Sequence, residues 1–405
     1  MMGFGQASQR PSPTDTFLSS FISLRPRASQ PALNANSPSN TFALYSRRVL
    51  GPDGLLQAAV VVRDDTILAV VPRDQLPDDC PCDDLGDLIV APGVIDTNVC
   101  CCEPGRTDWE GFEHATKAAA AGGITTLFEM PVGCHPATTS LEALQLKRLA
   151  ADGQCHVDVG FFGGLTPHNG REVDALVAAG VFGIKAYLCP SGFADFPLCS
   201  SQQLQRAMPL LAEANLPLLV HSELPAGQFA VTSDRRSYQQ YVGSRADQWE
   251  LDGVAQMAGL CRRFGCPVHI LHLSSAEALT MIEWSIDEGL PLSVETAPHY
   301  LLFAAEEVAD GDTRFKCSPP IRNRENREKL WRALESGLID TIASDHAPFP
   351  AEMKSLDEGF FTTAFSGISG LQFTLSAAWT GAKRHGTRLD NLRLWLSDYP
   401  ARLYS

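Results

Sequence analysis

Basic residues are scarce in this chain. Lys and Arg number 32 against 47 Asp and Glu, a formal net charge of −15. So acidic a chain lacks the positive surface that neutralises nucleic-acid phosphates. It also lacks a basic cluster to hold an anionic membrane. Long apolar runs are missing too: pairs such as Arg63-Asp64 and Arg73-Asp74 interrupt them well short of the ~18 residues of a membrane span. Nor is there a dense disulfide framework. Twelve cysteines are spread over 405 residues, and neither Cys80-x-Cys82 nor Cys100-Cys101-Cys102 has a second half at zinc-ribbon spacing. Small buried thiols in a reducing compartment are expected, with neither nucleic acid nor membrane as partner.

What is present is core-forming material. Hydrophobic residues make up 44% of the chain, and an α/β barrel can absorb about 250 residues as one domain. Residues 1–41 stand apart. The first forty hold eight Ser, three Arg and one acid, Asp15. That composition cannot build a core and matches a disordered or transit-like extension. The location expected is therefore cytoplasmic, or an organelle if the extension is an address. Residues 42–91 alternate short apolar runs with turn signals at Gly51-Pro52-Asp53-Gly54 and Asp64-Asp65, which predicts a small antiparallel β domain.

From Ala91 the rhythm changes. Apolar runs at 88–96, 124–131, 156–165, 181–188, 217–223, 267–275, 291–301 and 340–349 alternate with helical segments at 109–121, 141–151, 202–214, 248–263, 276–288 and 324–336. Eight apolar strands separated by helices predict a (β/α)8 barrel over 92–405. In such a barrel the site lies at the C-terminal strand ends. Those ends carry Lys185, His221 with Glu223, His272, His299, and Asp345 with His346. A single histidine at a strand end is ordinarily a satisfied structural residue. Two histidines, a lysine and an aspartate on four strands would instead converge, and imidazole and carboxylate are ligands for zinc or a similar ion. An ammonium among them repels a cation, unless CO₂ converts the lysine to an anionic carbamate able to bridge two metals.

These residues sit in recognisable segments: APGVIDTNVCCCEPGRTDWEGFEHATKAAAAGGITTLFEMP, FGIKAYL, LLVHSE, HILHLSS, VETAPHYL, FKCSPPIR, DTIASDHAPF and SGISGLQ. With them the chain resembles the cyclic amidohydrolases, the group holding allantoinase, dihydroorotase and hydantoinase, over residues 42 to 405. EPGRTDWEGFE, CSPPIR and GISGLQ favour the allantoinase branch. Dihydroorotase-like sequences place an Arg just before EPG, where Cys102 stands. The resemblance implies up to two zinc ions bridged by carbamylated Lys185, with His221 and His272 on the second. It implies that Asp345 is both a ligand of the first and the general base, and that Ser318 holds the substrate ring. The partners implied are a small cyclic ureide, allantoin being opened to allantoate, and further copies of the chain in a homo-oligomer.

Two departures stand out. The family's strand 1 ends Asp-x-His-x-His, whereas this chain reads Asp96-Thr97-Asn98-Val99-Cys100. Alternation puts 98 and 100 on the same side, toward the site. An amide is a weak zinc ligand, but a Cys100 thiolate would be a strong one. The chain also stops at PARLYS where family members continue, so strands completing the small β-sandwich part are expected to be missing. Three readings remain open: an allantoinase-type hydrolase, impaired or not by strand 1; a non-catalytic hydantoinase-like relative; and a hydrolase of dihydropyrimidine or dihydroorotate.

Overall fold

The computed structural model describes residues 41–226 and 233–404. The extension expected over 1–41 therefore lies outside the described residues, apart from Thr41. The described chain divides into two compact units, one ending at Ala91 and the other spanning Pro92–Tyr404.

In the first unit, β1 (Thr41–Gly51), β2 (Gly54–Arg63) and β3 (Thr66–Val71) form an antiparallel meander. The turns fall where the Gly-Pro-Asp-Gly and Asp-Asp signals stand: Gly51 pairs with Gly54, and Asp64 takes a left-handed φ of 55°. The expectation of a purely antiparallel unit needs correcting. Strands β4 (Cys82–Asp84) and β5 (Ile89–Val90) pair parallel with β1. Because β2 occupies one edge of β1, the chain crosses back after β3 and enters the other edge in the same direction as β1. A bulge between Ser46 and Val49 turns the apolar set of β1 from one face to the other. Ala43 and Tyr45 thus pack with Ala59, while Val49 packs with Ala58 and Val60.

The second unit is α/β with parallel sheets. Its strands are β6 (Val94–Val99), β7 (Ile124–Glu129), β8 (Asp158–Phe161), β9 (Gly163–Gly164), β10 (Ile184–Tyr187), β11 (Leu218–His221), β12 (Val268–Ile270), β13 (Leu292–Thr296) and β14 (Thr341–Ile342). One sheet runs β6-β7-β8 and another β9-β10-β11-β12-β13-β14, every pair parallel. Only Phe162 separates β8 from β9, and its N–H bonds the carbonyl of Glu129 at 3.1 Å. Single parallel bridges join Val99 to His346 and His346 to Ile368.

Helices fill the intervals. Leu141–Ala151 and Arg324–Ser336 start at side-chain caps from Ser140 and Asn323, as capping chemistry favours. Phe112–Ala121 begins three residues later than its apolar pattern suggests, because Gly111 ahead of it has a φ of 92° that a helix cannot contain. The inner helical faces, including Phe112, Leu144, Leu204, Met257, Ile282 and Trp331, share one core with Val94, Ile124, Val220 and Ile270 of the strands. Three apolar runs are divided differently from their sequence pattern, one being 156–165, split at Phe162 into β8 and β9. The 88–96 run is broken at Ala91–Gly93, its first part belonging to the small sheet as β5. The 291–301 run ends as a strand at Thr296. Pro298 then opens a short helix, Pro298–Leu302, as its fixed φ favours.

Candidate active site

Short buried strands whose last residues are polar deliver those residues to one end of the sheet. His221 is the final residue of β11, and Lys185 lies within β10. His272 follows β12 by two residues, and Asp345 follows β14 by three. Both of the latter take left-handed backbone angles, φ 39° and 49°. Side chains with a Cβ rarely adopt these, and such strain collects at functional sites. Helix Asp247–Phe264 supports this end closely: a Cβ on Gly253 would lie 1.6 Å from the carbonyl oxygen of Ser222, so only glycine lets the helix reach the residue beside His221.

All the residues expected at the site line one cavity of about 340 Å³: Lys185, His221, His272, Asp345, Cys100 and Ser318, together with Asn98 and Cys102. His299 does not. It sits buried in its short helix, edge-on to Tyr300.

The two imidazoles meet directly. Nδ1 of His221 is 3.1 Å from Nε2 of His272, and Nε2 of His221 is 2.8 Å from a Glu223 carboxylate oxygen. Burial alone would raise the Glu223 carboxyl, but Arg245 and His221 outweigh it and hold the group at about 2. Arg245 grips both oxygens, Nε at 2.9 Å and Nη2 closer. An ionised Glu223 accepts a hydrogen bond from Nε2–H of His221, which leaves Nδ1 as a lone pair aimed at His272. Tyr187 stacks on the His221 ring at 4.8 Å and fixes its plane. Nδ1 of His272 is buried and has no hydrogen-bond partner among the described residues.

Lys185 and Asp345 lie in the same low-dielectric space. Burial lowers the Lys185 pKa, against the pull of Cys100, Asp345 and Glu295. Burial likewise pushes the Asp345 carboxyl up to about 8, with Lys185 opposing and Glu295 and Asp96 reinforcing. Burial also pushes the Cys100 thiol up to about 12. Asn98 donates its amide N–H to Glu295 at 2.9 Å, and the Thr97 hydroxyl donates to the other oxygen of Glu295.

The residues therefore fit one divalent cation on one side and not on the other. Two converging imidazole nitrogens, one held as a lone pair by Glu223, suit an ion between β11 and β12, with Lys185 alongside. Strand β6 offers an amide already committed to Glu295 and a buried thiol whose pKa burial raises. Among the described residues, Cys189, His221 and Glu223 also bring three donor atoms within 4.8 Å of one another. Because the Arg245 guanidinium already neutralises Glu223, this is an ion-pair network rather than a second cation site.

Sequence reasoning noted Glu223 at the strand end but gave it no task. It missed Arg245, Tyr187 and Asn98's bond to Glu295. A carboxylate two residues after a strand-end histidine is the one signal that could have pointed to the pair.

The sequence profile of the amidohydrolase family matches residues 89–403, and the chain belongs to that family. Within it, the chain is 41% identical over 384 residues to the allantoinase of Arabidopsis thaliana, covering 90% of this chain and 76% of that protein. It is 45% identical over 365 residues to the allantoinase of Streptomyces avermitilis, covering 89% and 81%. Among solved structures, L-hydantoinase (dihydropyrimidinase) from Arthrobacter aurescens superposes with a TM-score of 0.81 at 28% identity, covering 90% of this chain and 82% of that one.

Proposed function

We propose that this protein is a hydrolase of cyclic amide bonds of the allantoinase type, opening the ring of allantoin to give allantoate. The observation that carries the reading is the convergence of Lys185, His221, His272 and Asp345 from four strand ends on one cavity, in a chain more than 40% identical to two allantoinases. We infer that the parallel sheets, linked by the Val99–His346 bridge, make one (β/α)8 barrel over 92–405, with 41–91 as part of a small β-sandwich preceded by an extension.

His221, His272 and a carbamylated Lys185 would hold zinc, which supplies polarisation of the ring carbonyl and a lowered pKa for water. The chain's own groups do the rest. Asp345 accepts a proton as water adds to the ring carbonyl, then delivers it to the ring nitrogen as the C–N bond breaks. Ser318 holds the ring through its hydroxyl and neighbouring backbone. The product is the ring-opened ureido acid. The expected partners are this small ureide and further copies of the chain. Among the described residues no helix is long and apolar enough to cross a membrane; the location proposed, cytoplasmic or organellar, rests on the composition of the N-terminal segment.

The second reading is a non-catalytic relative, favoured by an amide, Asn98, tied to Glu295 and a cysteine, Cys100, standing where the family's strand 1 carries two histidines. The two separate in an allantoin ring-opening assay with zinc and bicarbonate, run beside Lys185→Ala. Turnover that Lys185→Ala removes supports the hydrolase. Retained folding and zinc binding without turnover support the relative.

A further inference from the structure

Lys354 stands outside the cluster of ligand-type residues, at the end of the short turn Ala351–Lys354. It is buried, and no carboxylate lies within ion-pair distance of it among the described residues. Its ammonium instead donates to three carbonyls: Lys316 at 3.2 Å, Phe365 at 3.0 Å and Gly367 at 2.8 Å. That is the full complement of an ammonium's N–H groups. A buried charge without a counterion is costly, so three charge-assisted bonds at one point mark a place where the backbone is being held.

The three carbonyls come from two segments far apart in sequence, 316–318 and 364–367, and both line the cavity. The segments are cross-linked further. Gly367 N–H donates to the same Lys316 carbonyl at 2.9 Å, and the Lys316 ammonium donates to the Ala364 carbonyl at 2.5 Å. At their meeting point the Ser318 hydroxyl lies 3.1 Å from the Ser366 hydroxyl. Tyr241 supports the same spot: its hydroxyl donates to the Cys317 carbonyl at 2.6 Å and lies 3.3 Å from Ser318. Two adjacent hydroxyls can each donate and accept, which matches the alternating C=O and N–H edge of a cyclic ureide.

We propose that Lys354 is a positioning residue for the ring substrate: it draws the two segments onto one ammonium and so sets Ser318 and Ser366 side by side as the wall against which the ring registers. The proposal rests on reading the cavity as a cyclic-ureide site. Lys354 touches no substrate; it acts through Ser318.

The test is a double-mutant cycle on the zinc-loaded full chain, with KM and kcat for allantoin, allantoin affinity by calorimetry, zinc content and thermal unfolding measured for each variant. Lys354→Met should raise KM and weaken affinity at least ~10-fold while kcat falls less than ~3-fold, because the hydroxyl wall holds the ring equally in the bound ground state and the transition state. Zinc content should match the parent, and Lys354→Arg should recover part of the loss. Combined with Ser318→Ala, Lys354→Met should add less than ~2-fold, since both act on one contact. Parent-like KM in Lys354→Met, or fully additive losses, would overturn the proposal. If Lys354→Met shows no cooperative unfolding, Lys354→Arg with Ser366→Ala carries the same cycle: raised KM and non-additivity support the proposal, and parent-like KM overturns it. A parent that binds allantoin while the variants are additive sinks this inference alone. A parent that neither binds nor opens allantoin sinks the reading of the cavity and this inference with it.

Discussion

Nδ1 of His221 and Nε2 of His272 lie 3.1 Å apart in the floor of the cavity, although 51 residues separate them in sequence. Two imidazole nitrogens tolerate this approach only when a proton or a cation lies between them. Glu223 has already fixed the His221 proton on the far side of its ring, so this contact decides what the cavity can hold.

The first prediction concerns that fixing. Glu223→Gln removes the ionised acceptor for His221 and the partner of Arg245. Zinc affinity should fall by about 10–100-fold, the usual effect of losing a carboxylate behind a metal-binding histidine. Chelator competition measures it, with circular dichroism to show that the fold is retained. Unchanged affinity would mean that Glu223 serves only the ion pair.

The second concerns strand β6. Asn98→His with Cys100→His puts two imidazoles where an amide and a thiol now face the cavity, and neither change adds a fixed charge. Zinc content per chain should rise, and allantoin opening should speed up by at least ~10-fold, equivalent to ~1.4 kcal/mol of transition-state stabilisation. Lys185→Ala in the same background should abolish the gain. Full metal loading without faster opening would place the defect elsewhere.

The third concerns stability near the same strand end. Lys147 and Glu129 are both wholly buried, 2.8 Å apart, and Glu129 also accepts the Cys101 N–H at 2.7 Å. Lys147→Met strands the carboxylate, which should cost about 3–5 kcal/mol in urea unfolding. A loss below about 1 kcal/mol would show that Glu129 finds another partner or a proton at little cost.

The fourth follows from the burial of Lys354. Burial lowers its pKa to about 8 from an ordinary 10.5, with the nearby Cys317 opposing. Between those values the unfolded chain holds the proton and the folded chain releases it, so folding gains as pH rises. The stability of the parent relative to Lys354→Met should stay level below pH 8. It should then improve toward pH 10.5 by on the order of 2–3 kcal/mol. A pH-independent difference would contradict the shift.

The sequence made the strand-end residues legible because a parallel strand's last side chains have one place to go. Lys185, His221, His272 and Asp345 could each be tied to an apolar run that stops at a polar residue, and alternation correctly turned residues 98 and 100 inward. What stayed hidden depends on partners distant in sequence. Arg245 meets Glu223 across 22 residues, and Asn98 meets Glu295 across 197. Lys354 reads as a surface lysine until its three carbonyls are seen. The parallel entry of β4 and β5 was equally hidden, since short strands carry no mark of direction and pairing decides it.

The most direct measurement is allantoin ring opening by the full chain supplied with zinc and bicarbonate, followed by allantoate formation. The account predicts steady turnover that falls at least ~100-fold in Asp345→Asn, the loss expected when a positioned proton carrier is removed. A folded, zinc-bound parent that forms no allantoate above the protein-free rate would contradict it.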